Sequence, residues 1–80
     1  MPPYQRTTAA LRRQILSGQL QPGEQLPSVR SLQEQYAIAG GTVQAALRLL
    51  RAEGLIDVVH GRGSFVAAPL PPQRQTSQRR

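Results

Sequence analysis

With 80 residues, the chain can form one small domain whose core is too small to enclose a ligand cavity or an elaborate active site. Its ten basic residues are all arginines, and the net charge of +6 favours a nucleic-acid partner, although it also suits a ribosomal protein, an anionic membrane surface or an acidic protein. One histidine, no cysteine and four scattered carboxylates form neither a nucleophile–base pair nor a metal-ligand cluster, so the sequence predicts no enzyme and no cofactor.

The first predicted element is a helix that follows a short amino-terminal arm, residues 1–5. The helix is expected to begin near residues 6–8 and to end at Gly18, because glycine tolerates the left-handed conformation at a helix end. Pro22-Gly23 then predicts a turn, after which Gln25-Leu26 can form a short strand beside a later hairpin. The buried stripe of this helix is predicted to contain Leu11, Ile15 and Leu16, with Thr8 or Ala9.

Pro27-Ser28 predicts the start of a second helix, since the Ser28 hydroxyl can accept a hydrogen bond from one of the first free amides. Its apolar stripe is predicted to be Val29, Leu32, Gln33 and Tyr36. Residues 37–39 leave room only for a tight turn, so the next helix must cross the second one steeply.

A third helix is predicted over about residues 41–53, because apolar side chains recur there at steps of three and four residues. Its buried face contains Val43, Ala46, Leu47 and Leu50. Its outward face contains Gly41, Gln44, Ala45, Arg48 and Ala52. This outward face is smooth enough to approach a groove floor or another backbone closely.

A two-stranded hairpin, here called the wing, is predicted over about residues 56–66. Gly61 and Gly63 supply the backbone freedom of a tight turn, and Arg62 lies between them at the tip. The predicted core residues near the wing are Leu55, Ile56, Phe65 and Val66. The ordered domain is therefore expected to span residues 6–67 and to be mainly α with a small β-hairpin.

Residues 68–80 are predicted to be a flexible, Pro-rich basic tail or linker, because prolines interrupt any regular element and periodicity is lost. The arginines of this tail can add nonspecific phosphate contacts or simply be solvated. They are Arg74, Arg79 and Arg80.

Four pieces of the sequence, taken in order and spacing, resemble one protein family. They are Leu26-Pro27-Ser28-x-Arg30-x-Leu32, Gly41-Thr42-Val43 with Ala46-Leu47-x-x-Leu50, Glu53-Gly54-Leu55-Ile56, and His60-Gly61-Arg62-Gly63-Ser64-Phe65-Val66. Together they resemble the DNA-binding domain of the GntR family of bacterial transcription regulators. The resemblance implies a winged helix-turn-helix with three helices and a two- to three-stranded wing. It also implies a repressor that binds a partly palindromic operator as a dimer, with the third helix in the major groove and the wing at the minor groove.

The resemblance places Arg30 at a position that contacts DNA, where its guanidinium can bind a phosphate or a guanine edge. An ordinary ion pair with Glu34 is the alternative. Thr42 can hold a phosphate at the start of the third helix, or only satisfy its own backbone. Gln44 suits adenine and the Ala45 methyl group suits a thymine methyl, unless Gln44 is simply an exposed surface residue.

Arg48 is expected to contact a phosphate, with a solvated arginine as the alternative. Gly41 keeps this side of the helix free of bulk. On the wing, Arg62 suits the negative potential of a narrow minor groove, but a tip that is polar for solubility is the alternative. His60 matches a family position beside the DNA backbone, and Gly61 shapes the turn; a neutral hairpin histidine is the other interpretation.

The chain departs from the family pattern where bases are read. Ala39-Gly40 stands where many members carry Ser-Arg or Thr-Arg, and Gln44 stands where members often carry an arginine. We therefore expect weaker binding, a less guanine-centred operator, or greater reliance on Arg30 and the wing. Ala39 also removes a side-chain cap from the third helix.

The expected partners are double-stranded operator DNA and a second copy of the chain, at least on DNA. An effector is expected only if a carboxy-terminal domain, usual in the family, accompanies this one. The rival hypothesis is a winged-helix interaction module whose third helix meets an acidic protein. No apolar run approaches the roughly 20 residues of a membrane span and no signal segment follows Met1, so the expected location is the cytoplasm.

Overall fold

The computed structural model describes residues 3–71 and contains three helices followed by a two-stranded antiparallel hairpin. None of the described helices is both long and apolar enough to cross a membrane. The predicted order of elements is confirmed. The elements are α1 (Pro3–Ser17), α2 (Val29–Tyr36), α3 (Gly40–Ala52), β1 (Ile56–Val59) and β2 (Gly63–Val66).

Helix α1 begins at Pro3, earlier than the predicted start near residues 6–8, so residues 3–5 belong to the helix and not to a separate arm. Proline suits the first turn because it lacks an amide that would have no partner there. The helix ends where Gly18 takes a φ of +88°, as predicted. Residues 3–5 of the segment expected to precede the helix therefore belong to its first turn.

The predicted buried stripe of α1 is right in part. Leu11 and Ile15 are buried, but Leu16 is 40% exposed, because it lies about 100° around the helix from Ile15. Of the alternatives Thr8 and Ala9, Thr8 is the buried one, and its hydroxyl donates to the Tyr4 carbonyl oxygen at 2.6 Å. A hydroxyl that bonds within its own helix can be buried at little cost.

The core lies where α1, α2 and the hairpin pack against α3. The four α3 residues predicted to be buried are buried, as are Leu55, Ile56 and Val66 around the wing. Phe65 is half-buried, which corrects its prediction as a core residue. Leu70 packs against the core, so the part of the predicted flexible tail nearest the domain lies on it. The three tail arginines, Arg74, Arg79 and Arg80, lie outside the described residues.

The turn between α2 and α3 is set by local backbone geometry. Ser28 caps α2, since its hydroxyl accepts a hydrogen bond from the Ser31 amide at 3.1 Å. The helix ends at Tyr36, and the next residue, Ala37, takes the left-handed conformation with φ +54°. After the short turn, Ala39 precedes α3 in an extended conformation without a side-chain cap, as expected.

Replacing Ala39 with serine is expected to raise the free energy of unfolding by about 1 kcal/mol. The φ and ψ angles of −75° and 157° at Ala39 already suit a capping residue, and a hydroxyl there would accept a bond from an early amide of α3. Urea unfolding followed by circular dichroism measures the change. Ser28→Ala, which removes the cap of α2, should produce a loss of similar size, and an unchanged Ala39→Ser midpoint would contradict this account.

The connector between α1 and α2 joins the hairpin. Gln25 forms a β-bridge with Phe65, and the Leu26 amide donates to the Ser64 carbonyl oxygen at 2.8 Å. On the same edge, the Val66 amide donates to the Glu24 carbonyl oxygen at 2.8 Å. The expected short strand is thus a single bridge that covers the outer edge of β2.

An ion pair links α1 to the residue that follows α3. Arg12 donates from Nε to Glu53 Oε1 at 2.9 Å and from Nη2 to Oε2 at 2.6 Å. These hydrogen bonds raise the pKa of Arg12, although its partial burial opposes them. The bidentate geometry holds both side chains in one orientation, and it engages one of the four acidic residues of the chain.

Candidate nucleic-acid interface

Helix α3 presents an exposed face with few side-chain atoms. Gly41, Gln44, Arg48 and Ala52 are exposed, as their outward positions predicted, whereas Ala45 is half-buried. A β-carbon on Gly41 would meet no atom within 4 Å. Because glycine and alanine carry so little side chain, another surface can approach the first two turns of this helix closely.

Gly40, in the first turn of α3, lies beneath the side chain of Gln33. A β-carbon at this position would come within 3.3 Å of Gln33 Oε1. A larger residue here would therefore shift the Gln33 side chain. The resemblance leads one to expect an arginine at position 40. The Gln33 side chain of α2 already occupies part of the space that its side chain would need.

Thr42 is half-buried near the start of α3. Its amide already donates to the Ala39 carbonyl oxygen at 3.1 Å. Its hydroxyl is consequently the Thr42 group available to hold a phosphate.

Arg30 lies at the start of α2 with its side chain 89% exposed. Its Nε atom is 3.9 Å from Glu34 Oε2, so the ion pair weighed as the alternative is present. A pair this long and this exposed contributes little energy. The guanidinium can therefore exchange Glu34 for a stronger acceptor without a large cost.

Hydrogen bonds to its backbone hold the wing tip in place, while the Arg62 side chain is exposed. The Arg62 amide donates to the Val59 carbonyl oxygen at 2.9 Å, and the Arg62 carbonyl oxygen accepts from Gln25 Nε2 at 2.7 Å. Gly63 takes a φ of +117°, and a β-carbon on it would lie 2.9 Å from Gln25 Nε2. The side chains of Arg62 and His60 are exposed, beside Gly61 at φ +80°.

A cleft of about 310 Å³ separates α3 from the wing, and we call it the α3–wing cleft. The helix contributes polar side chains on one of its sides, and the wing contributes Ser64 beside the apolar Val58. Its lining residues are Val29, Gln44, Leu47, Arg48, Arg51, Val58, Gly63 and Ser64. The cleft brings together two predicted site residues, Gln44 and Arg48.

Arg51 and Ser64 line the same cleft but were not predicted as site residues. Arg51 follows Arg48 by three residues and Gln44 by seven, a spacing that places all three on one side of a helix. That spacing was the available signal. No sequence signal places Ser64 opposite them, because that depends on how the wing folds back.

A second cavity, of about 200 Å³, connects the wing tip to the start of α2. Arg62 lines it together with Ser28 and Val29, the residues just before Arg30. It also shares Leu47, Gly63 and Ser64 with the α3–wing cleft. The start of α2, the side of α3 and the wing tip therefore border one continuous surface.

Apart from the loose contact of Arg30 with Glu34, no carboxylate of residues 3–71 pairs with the arginines of this surface. Glu34 pairs loosely with Arg30, Glu53 is engaged by Arg12, and Glu24 accepts a bond from the Gln21 amide at 2.8 Å. Within residues 3–71, no carboxylate lies within 4 Å of the Arg48, Arg51 or Arg62 side-chain nitrogens. Such a surface attracts anions.

A further groove lies away from this surface. An open groove of about 460 Å³ lies beside α1 and the turn after α2, and Arg6, Tyr36 and Ile38 are among its lining residues. Within residues 3–71 no three acidic or histidine residues are close enough together to hold a metal ion.

The sequence of this chain is similar to those of known proteins. Residues 3–66 match the family model "Bacterial regulatory proteins, gntR family". The HTH-type transcriptional repressor NagR of Bacillus subtilis (strain 168) is 44% identical over 69 residues, which cover 86% of this chain and 28% of that protein. The mannosyl-D-glycerate transport/metabolism system repressor MngR of Escherichia coli (strain K12) is 34% identical over 65 residues, 81% of this chain and 27% of that protein. The chain thus spans less than a third of the length of either relative.

Solved structures share the fold. AraR(DBD) in complex with operator ORX1 has a TM-score of 0.82 and 28% identity, covering 84% of this chain and 81% of that one. A GntR family transcriptional regulator from Listeria monocytogenes has a TM-score of 0.80 and 27% identity, covering 84% of this chain and 59% of that one. The three helices and the wing therefore form a winged helix-turn-helix.

Proposed function

Because this chain belongs to the gntR family of bacterial regulatory proteins, we propose that it binds double-stranded operator DNA and represses transcription from a neighbouring promoter. The observation that carries the proposal is the continuous surface of the α2 start, α3 and the wing tip. On this surface Arg48, Arg51 and Arg62 have no carboxylate partner within residues 3–71. The operator complex of AraR(DBD), which has the same fold, supports it.

In this proposal α3 enters the major groove. Gln44 pairs with an adenine edge through two hydrogen bonds, and the Ala45 methyl group contacts a thymine methyl. Gly41 allows the close approach, while the Thr42 hydroxyl and Arg48 bind phosphates. With glycine at position 40 and glutamine at 44, we expect the operator to be less centred on guanine than one read by two arginines.

The wing and α2 supply the remaining contacts. Arg62 projects from a tip whose backbone is fixed by Gln25, and it enters a narrow minor groove. His60 and Gly61 lie beside the backbone at the same place. Arg30 approaches from the start of α2 to bind a phosphate or a guanine edge.

We further propose that two copies bind a partly palindromic operator, since a two-fold protein assembly matches a two-fold site. The proposal places the regulator in the cytoplasm, where bacterial DNA lies. An effector would act through a further domain, since the match to this chain covers 28% of NagR and 27% of MngR.

The decisive experiment selects randomised duplex DNA with the purified 80-residue chain and then titrates the winner at two salt concentrations. A palindromic winner that outcompetes a scrambled duplex, with affinity that falls steeply with salt, supports an operator-binding regulator. Equal binding to every duplex would remove sequence-specific recognition. If an acidic protein partner were the true ligand, it would bind regardless of competing DNA.

Gln44→Ala is expected to change base preference more than overall affinity. Removing one bidentate contact should lower discrimination at one position of each half-site by about 1–3 kcal/mol, while the phosphate contacts remain. Repeating the selection with the variant measures the change. Gln35→Ala, at an exposed glutamine of α2 that lines none of the cavities described above, is the matched control. Identical selected sequences for Gln44→Ala and wild type would show that Gln44 reads no base.

A further inference from the structure

Arg51 occupies a position that none of the roles proposed so far explains. It lies in the last turn of α3 and faces the α3–wing cleft with Arg48, one helical turn away. Within residues 3–71, neither guanidinium has a carboxylate within 4 Å. Two like charges on neighbouring turns disfavour a helix slightly, whereas an anion between them would reverse that effect.

The cleft has the composition of a site for one anionic, sugar-bearing strand. Arg48, Arg51 and Ser64 place hydrogen-bond donors around it, and Ser64 is half-buried. Leu47 and Val58 supply an apolar lining, with Val58 47% exposed in the described structure. Charged donors above apolar carbon suit a phosphate and its adjoining deoxyribose.

The geometry of duplex DNA indicates which group arrives there. One sugar–phosphate backbone separates each major groove from the neighbouring minor groove. A protein that inserts α3 into the first groove and the wing tip into the second must therefore accommodate that backbone between them. The α3–wing cleft is the space between these two elements.

We propose that Arg51, together with Arg48 and Ser64, binds a phosphate of the DNA backbone that crosses the α3–wing cleft. This inference rests on the DNA-binding function proposed above. The Arg51 contact is independent of sequence, so it adds affinity and orientation rather than base discrimination.

The first test compares the salt dependence of binding for the 80-residue chain and two variants. Arg51→Ala should weaken binding to the selected operator and to a scrambled duplex equally, by about threefold to tenfold. Because one phosphate contact contributes about 0.9 to the slope of log affinity against log salt, wild type should lose about three to four times more affinity than Arg51→Ala between 50 and 200 mM salt. Arg51→Lys, which keeps the charge, should restore most of the slope.

Arg13→Ala is the matched control, since Arg13 is exposed on α1 and lines none of the cavities described above. It removes the same charge and should leave the slope unchanged. Arg51 also lies near the carbonyl end of α3, where a cation stabilises a helix. That purely structural role would lower the unfolding midpoint of Arg51→Ala and leave its salt slope equal to that of Arg13→Ala.

A second test removes the phosphate charge instead. A series of operator duplexes, each with one neutral methylphosphonate, should contain a position that weakens wild type but not Arg51→Ala. Equal losses for both proteins at every position, or equal slopes for Arg51→Ala and Arg13→Ala, would overturn the Arg51 assignment while leaving DNA binding intact. Failure of wild type to bind any duplex would overturn both proposals together.

Discussion

Replacing Leu50 with alanine is expected to lower the free energy of unfolding by about 2–5 kcal/mol. Leu50 is 0% exposed and belongs to the core cluster that joins α1, α3 and the hairpin. The substitution removes buried apolar surface and leaves a cavity that the helix cannot close. A domain of this size has a total stability of about 4–10 kcal/mol, so the loss should bring the variant close to unfolding at room temperature.

Urea unfolding followed by circular dichroism measures this loss, and the neighbouring residue supplies the control. Leu49 is 36% exposed in the same helix, and alanine is the strongest helix former. Leu49→Ala should therefore change the free energy of unfolding by less than about 1 kcal/mol. Equal losses at positions 49 and 50 would mean that the buried face of α3 is assigned incorrectly.

Replacing Arg30 with alanine is expected to weaken binding to the selected operator by about 1–3 kcal/mol, or roughly 5- to 150-fold. Because its pairing with Glu34 is long and exposed, the variant should unfold at nearly the wild-type urea concentration. The whole loss would then report a contact with DNA. Arg62→Ala should weaken binding in the same way. The variant should keep the fold of the wing, because Gln25 holds the backbone of the tip and the Arg62 side chain does not.

Titration of fluorescent duplexes at fixed salt measures both losses, and specificity separates the two kinds of contact. A phosphate contact by Arg30 would weaken operator and scrambled duplex alike, whereas a guanine contact would weaken the operator more. Glu34→Gln is the control, because it frees Arg30 and removes a negative charge. Binding that stays at the wild-type level in both arginine variants would eliminate the proposed docking of α2 and the wing.

Sequence patterns predicted well those features that depend on neighbours along the chain. The steps of three and four residues in α3 identified its buried face, since a helix repeats every 3.6 residues. Ser28 and Gly18 marked helix ends because capping is a local interaction. The errors concern α1. Leu16 follows Ile15 in an apolar run, but it lies on another side of the helix and is exposed. The helix also starts at Pro3, earlier than expected.

The nine proposed DNA contacts came from residue chemistry and from the family resemblance, and they remain predictions. What the sequence did not reveal is which residues of the wing and of α2 border the outward face of α3. Gln44 and Arg48 line the α3–wing cleft together with Ser64. Arg62 and the start of α2 line a second cavity. Arg51 carried a usable spacing signal, but without the cleft nothing distinguished it from a solvated arginine.

The sequence by itself determined the types and order of the elements, the apolar face of α3 and the excess of positive charge, because periodicity and composition are properties of the chain. Tertiary structure alone decided which arginines pair with a carboxylate of the described chain and which remain available to bind DNA phosphates. Arg12 is engaged by Glu53, 41 residues away, and Gln25 holds the Arg62 carbonyl across 37 residues. Such pairings depend on distances between elements, and those distances exist only after the core has closed around its buried faces.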